Sequence, residues 1–341
     1  MKNILYIATI LLLNLIGCCG CDSDTKNTPT PDTPAEGGYL FAHMKDSDYG
    51  GIYYYISRDA KQWTVLNDDK TIEPRYSGHP DIIKGADGRY RMIGVTRTLP
   101  KSLILWVSTD LVTWQTDETI PDAAIMDTPG YHPDGWYSTP KLFYDADSGK
   151  YLITWHASRN EVAEGSDQWW SEMRTFYMTT SDFKTYSKPA RLFDFKSEEF
   201  RDAATIDAII RKIGGSYYAD IAPTGKTVLI SKSAALTGPY SEPISVVTPK
   251  TEAGKTDNWH EAPTIVEQPD GKGWYIFAER YPTEYVRFEA PDIESATWRQ
   301  YVIGIPNARH GVMVRITDEQ YARSKERRVG KECRSRWSPY H

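Results

Sequence analysis

The stretch "LWVSTDLVTW", residues 105–114, decides the fold. A strand of large apolar residues runs into Ser/Thr-x-Asp, and an indole follows four residues after the Asp. The pattern returns as "YYYISRDAKQW" at 53–63 and "FYMTTSDFKTY" at 176–186. Looser copies stand at 228–240, "VLISKSAALTGPY", and at 286–298, "VRFEAPDIESATW". Self-similarity at long, fairly even intervals marks one supersecondary unit repeated along the chain.

A second element precedes each of the last four copies: a short strand, a Gly/Asp turn and an aromatic strand. The copies are "HPDIIKGADGRYRMIGV", "TPKLFYDADSGKYLITWHA", "IDAIIRKIGGSYYADIA" and "APTIVEQPDGKGWYIFAER". β-branched and aromatic residues around "DG" or "GG" are hairpin signals. The first unit lacks this opening strand and begins at "GYLFAHM"; the missing strand stands at the far end as "RHGVMVRIT", 309–317. Five four-stranded units closed by a C-terminal strand predict an all-β, five-bladed β-propeller over residues 39–322. A β-sandwich of the same strands is the alternative. In a propeller the first strand of each blade lines the central channel. The strand heads "GHPD" (78–81), "YSTPK" (137–141), "TIDA" (205–208), "WHEAP" (259–263) and "ARHG" (308–311) then meet at one mouth. They bring His79, Asp81, Asp207, His260, Glu261, Arg309 and His310 together.

The ends of the chain read differently. Residues 1–17 carry one Lys and a short apolar run ending in "LIGC", which predicts a lipoprotein signal peptide with Cys18 as the lipidated residue. The polar, Pro/Thr-rich residues up to 38 read as a flexible linker. Residues 323–341 have no apolar period and resemble a translated sequencing adapter, so they are expected to be foreign to the fold. They hold seven Lys/Arg and two Asp/Glu, and without them the formal charge is −11 rather than −6. An acidic domain is not expected to bind nucleic acid, nor a membrane except through the anchor. The four cysteines, at 18, 19, 21 and 333, all lie outside the body, which excludes a disulfide framework and a thiolate metal site there. These features predict a monomer on the outer membrane or surface of a Gram-negative cell.

On these motifs the chain resembles glycoside hydrolase family 43 and its five-bladed relatives, which cleave arabinose-, xylose- or galactose-containing glycans. "WHEAP" resembles the strand that carries the general acid, and the match falls on Glu261. "TIDAIIRK" resembles the strand whose Asp assists that acid, and the match falls on Asp207. "ARHGVMVRITDEQY" resembles the closing strand with its inward His, and the match falls on His310. The resemblance implies no required cofactor, with a central cation expected only near His310. It places the general base directly before Pro80, where this chain has His79. Asp81 follows at i+2, which in a strand points to the same face. Asp81, polarised by His79, is the expected base, because inverting sites normally deprotonate water with a carboxylate.

Further sugar contacts are expected at His132, Trp136, Trp169, Trp170, His260, Arg280, Arg309 and His310. Exposed indoles match the C–H face of a pyranose. The reading carried forward is an envelope-tethered, exo-acting, inverting glycosidase for plant or algal poly- and oligosaccharides. The alternatives are a glycan-binding lipoprotein without activity, and a propeller glycosidase that uses a His as acid or base on anhydro-galactose-type sugars.

Overall fold

The computed structural model describes residues 37–96, 102–126, 128, 130–133, 139–223, 227–247, 259–281 and 284–325. These form five antiparallel sheets in a propeller. The first blade joins the closing strand Ala308–Ile316 to Gly38–Lys45, Asp48–Ser57 and Thr64–Val65. The second runs through Ile82–Lys84, Tyr90–Val95, Leu103–Ser108 and Gln115–Ile120. In the third, Lys141–Asp145 and the short Tyr131–Pro133 share one edge of Lys150–Arg159, and Arg174–Thr180 and Ala190–Arg191 follow outward. The fourth comprises Ile206–Ile213, Ser216–Ala222, Leu229–Ser233 and Ser245–Val246. The fifth comprises Trp259–Glu267, Trp274–Tyr281, Glu284–Ala290 and Arg299–Val302.

The expected closure is present. The C-terminal strand pairs with the first strand from Gly38↔Ile316 to Lys45↔Ala308. The five innermost strands contact one another around the ring. The repeated Ser/Thr-x-Asp explains itself as a turn that ends the third strand of a blade. Asp110 Oδ1 accepts the N–H groups of Val112 and Thr113 at 2.9 and 2.7 Å and faces Ser108 Oγ at 3.1 Å. Asp59 and Asp182 repeat these bonds. The residue after each Asp, Ala60, Leu111 or Phe183, is left-handed at φ 59°, 65° and 55°. An Asx-type turn holds the backbone in that region. The "GG" signal is a two-residue hairpin, with Gly214 and Gly215 at φ 55° and 86° between Ile213 and Ser216.

Blades pack face to face through aromatic layers. Trp106, Trp155, Tyr39, Tyr54, Phe41 and Phe277 are fully buried. Tyr218 and Ile230 of the fourth blade pack in one cluster with Ile276 and Phe288 of the fifth, and Tyr39 and Phe41 of the first with Phe277 and Tyr285 of the fifth. The described α-helices are short: Asp122–Met126, Asp167–Ser171 and residues 318–325. None is long and apolar enough to cross a membrane. Cys18 and the leader lie outside the described residues, as do 326–341. Residues 323–325 continue the last helix, and their polar contacts run to its own preceding turn at Glu319, Gln320 and Tyr321.

Candidate active site

Three of the inner strands open with a left-handed non-glycine corner: Thr139, Asp207 and Ala262, at φ 49°, 53° and 48°. In the fourth and fifth blades the corner coincides with a break in register, between Ile206 and Ile209 and between Glu261 and Thr264. Such corners are strained for side chains with a Cβ and persist where the surroundings hold them. Asp207 is held by its own oxygen: Oδ2 accepts the N–H of Ala262, the next blade's corner, at 3.1 Å.

His310 sits at the centre of a carboxylate cage. Its Nδ1 is 3.9 Å from Asp207 Oδ2, and its Nε2 is 3.6 Å from Glu261 Oε2 and 3.8 Å from Glu279 Oε2. Burial disfavours its charged form, but Asp207, Glu261 and Glu279 outweigh that and raise its pKa. The His79 ring lies 4.4 Å from the His310 ring. His79 faces the opposite field: burial, then His310, Lys141, His156 and Arg309, hold its pKa well below the usual imidazole range. Its Nδ1 is 2.7 Å from Thr139 Oγ1. With Nδ1–H donating there, Nε2 keeps the lone pair. Tyr49 closes the group edge-on to both imidazoles. Glu261 is the more open member, with 19% of its side chain exposed against 6% for His310 and 1% for Asp207.

His79, Asp207, Glu261, Arg309 and His310 therefore meet as expected. Asp81 does not join them. It is fully buried, Oδ2 accepts the Leu142 N–H at 2.7 Å, and Oδ1 lies 3.5 Å from Arg211. The i, i+2 rule fails because the strand starts only at Ile82, and Gly78 and Pro80 leave the preceding residues outside regular pleat. His260 is also withdrawn: it is wholly buried, edge-on to core Phe288 at 5.3 Å. Arg280 ion-pairs with Glu284 across its hairpin. Trp169 is buried among Met173, Ala204 and Ile206, whereas Trp170 is 41% exposed. Trp136 and the side chain of His132 lie outside the described residues.

Glu279 is the residue the sequence reading passed over. It stands directly opposite Glu261 in the register and is wholly buried. The signal was available. In "WYIFAER" Glu279 is two residues after core Phe277, so it occupies a core-facing position.

His79, Asp207 and His310 could also hold the expected cation: each offers one ligand atom, all within 4.8 Å of one another, and all three are buried. Two imidazoles and a carboxylate are a donor set that first-row dications accept.

A propeller with carboxylates and imidazoles from four blades at one channel mouth has the architecture of a glycoside hydrolase. A family model described as a probable glycosyl hydrolase domain, related to glycosyl hydrolase family 43, matches residues 35–322. The chain belongs to that family. No curated protein sequence matches it. Similar solved structures include an exo-β-1,3-galactanase from Clostridium thermocellum, at TM-score 0.51 and 14% identity, covering 71% of this chain and 51% of that one. The exo-β-1,3-galactanase from Phanerochaete chrysosporium, solved with β-1,3-galactotriose, gives TM-score 0.49 and 17% identity over 73% of this chain and 54% of that one. An α-L-arabinofuranosidase from Lactobacillus brevis gives 0.46 and 15%, over 66% and 72%. The chain spans about half the length of the galactanases. At these identities the likeness is one of fold.

Proposed function

We propose that the chain is an exo-acting, inverting glycoside hydrolase of the arabinofuranosidase, xylosidase or galactosidase type. It acts on plant or algal oligo- and polysaccharides, tethered to a Gram-negative envelope through Cys18. The observation that carries the reading is the convergence of His79, Asp207, Glu261 and His310 on one mouth. Glu261, the more exposed carboxyl, is the acid: its proton passes to the glycosidic oxygen as the C–O bond breaks. Asp207 stands behind it and keeps the corner at Ala262 in place. His79 is the base. It stands where the family places that group, its depressed pKa leaves it neutral near pH 7, and its Nε2 takes the proton of the attacking water. Trp170, exposed beside the buried Trp169, is offered as a stacking platform for a sugar ring.

Residues 39–322 incubated with aryl glycosides and oligosaccharides, with the first product followed by NMR, test the reading. Release of one terminal sugar at a time, in the inverted anomer, supports it. Retention, or mid-chain cleavage, contradicts it. An imidazole at the base position also favours a second reading, a receptor that binds glycans without cleaving them. Saturable glycan binding with no turnover on the whole panel would establish that one. A cation held by His79, Asp207 and His310 is the alternative to His79 as base, because the one free lone pair on His79 Nε2 can serve only one of the two. A dication there would orient sugar hydroxyls, and elemental analysis of purified protein before and after chelation checks it.

A further inference from the structure

We propose that Glu279 is a positioning residue for the acid, seating His310 so that Nε2 faces Glu261. The inference rests on the reading of Glu261 as the acid. A carboxylate buried directly opposite another across an antiparallel ladder is an unfavourable arrangement. It is held by specific partners. Glu279 Oε2 accepts the backbone N–H of His310 at 3.1 Å, and the same oxygen lies 3.8 Å from the ring Nε2. The other oxygen pairs with Arg309 Nε. Arg309 is tied in turn to Asp46 at 2.8 Å, and its guanidinium lies over the Tyr49 ring at 5.6 Å. The chain Asp46–Arg309–Glu279–His310 thus runs from the surface to the acid.

Each link has one task. Arg309 balances the Glu279 charge, so Glu279 has no need of the His310 ring proton. The backbone bond fixes the height of His310 in the channel. The Nε2–H is then left for Glu261, 3.6 Å away. When the glycosidic C–O bond breaks, its electron pair goes to the leaving oxygen and the Glu261 proton follows. The carboxylate left on Glu261 is met by an N–H already in place. A donor aimed at charge that develops in the transition state helps most where the leaving group needs protonation most.

The test is kcat/KM for wild type, Glu261→Gln, Glu279→Gln and Glu279→Asp on glycosides of graded leaving group, using whichever sugar wild type cleaves. Glu279→Gln is expected to lose about 10- to 100-fold on unactivated glycosides, the size of one charged hydrogen bond. It should lose little on dinitrophenyl glycosides, and KM should hold. Glu279→Asp should recover part of the loss. A uniform loss across leaving groups, or none, overturns the proposal. If Glu261→Gln itself shows no leaving-group dependence, the acid reading fails and the proposal falls with it. Crystal structures of wild type and Glu279→Ala test the seating without turnover; Glu279→Gln serves if Glu279→Ala does not fold. The His310 ring should leave the vicinity of Glu261, and an unmoved ring refutes the proposal.

Discussion

At the residue scale the buried charges separate into partnered and unpartnered ones, and stability should follow that division. Asp220 is the clearest unpartnered case: among the described residues neither carboxylate oxygen has a hydrogen-bond partner. Burial lifts its pKa from 3.8 to about 7, with Arg211 opposing. The folded state therefore holds a proton that the unfolded chain has released, and stability falls as pH rises from about 4 to 7. Asp220→Asn should raise Tm at pH 8 and leave it nearly unchanged at pH 4. The gain is at most roughly 4 kcal/mol, from about three pKa units. Equal Tm changes at both pH values would show that the charge is not the cause. Asp81 is the partnered case. Asp81→Ala orphans the Leu142 N–H, so thermal melts should show a loss of about 1–3 kcal/mol. Turnover by the folded variant should stay within about tenfold of wild type, whereas His79→Ala should lose about 10²–10⁴-fold. The opposite ranking would return the base to Asp81.

At the element scale, what was legible in the sequence is what repeats. The turn Asp at 59, 110 and 182 recurs because the first three blades end their third strand the same way, and the hydrogen bonds are the same in all three. Asp110→Ala should cost about 1–2 kcal/mol by chemical denaturation, since it frees two backbone donors and a left-handed corner at Leu111. A neutral substitution would mean the turn holds itself. Strand heads were legible for the same reason: topology alone brings "TIDA", "WHEAP" and "ARHG" to one mouth. Orientation within a head was not. Whether His79 or Asp81 faces the channel depends on where pleating starts, and Gly78 and Pro80 set that locally. Trp169 and Trp170 looked equivalent as neighbours, but on the turn Asp167–Ser171 successive side chains diverge by about 100°. One enters the core and the other stays out. Glu279 escaped because carboxylates were sought at the heads of first strands, and of its own second strand only the neighbouring Arg280 was considered.

At the scale of the whole molecule the ring is held shut by one strand, Ala308–Ile316, which also delivers Arg309 and His310 to the site. It fits tightly. A Cβ at Gly311 would lie 2.8 Å from the Ala42 carbonyl and closer still to the Phe41 ring. Truncation after residue 307 should therefore abolish cooperative unfolding as well as activity. Removing residues 323–341 should move Tm by no more than about 2 °C, because Tyr321, the buried anchor of the last helix, is retained. A larger drop would show that the tail belongs to the fold. The central claim is that the channel mouth cleaves glycosidic bonds with Glu261 as the acid. It is tested most directly by kcat/KM of Glu261→Gln against wild type on one unactivated oligosaccharide that wild type hydrolyses. A loss of roughly 10²–10⁴-fold with unchanged glycan binding is predicted. A Glu261→Gln protein that hydrolyses this substrate at the wild-type rate would contradict the account.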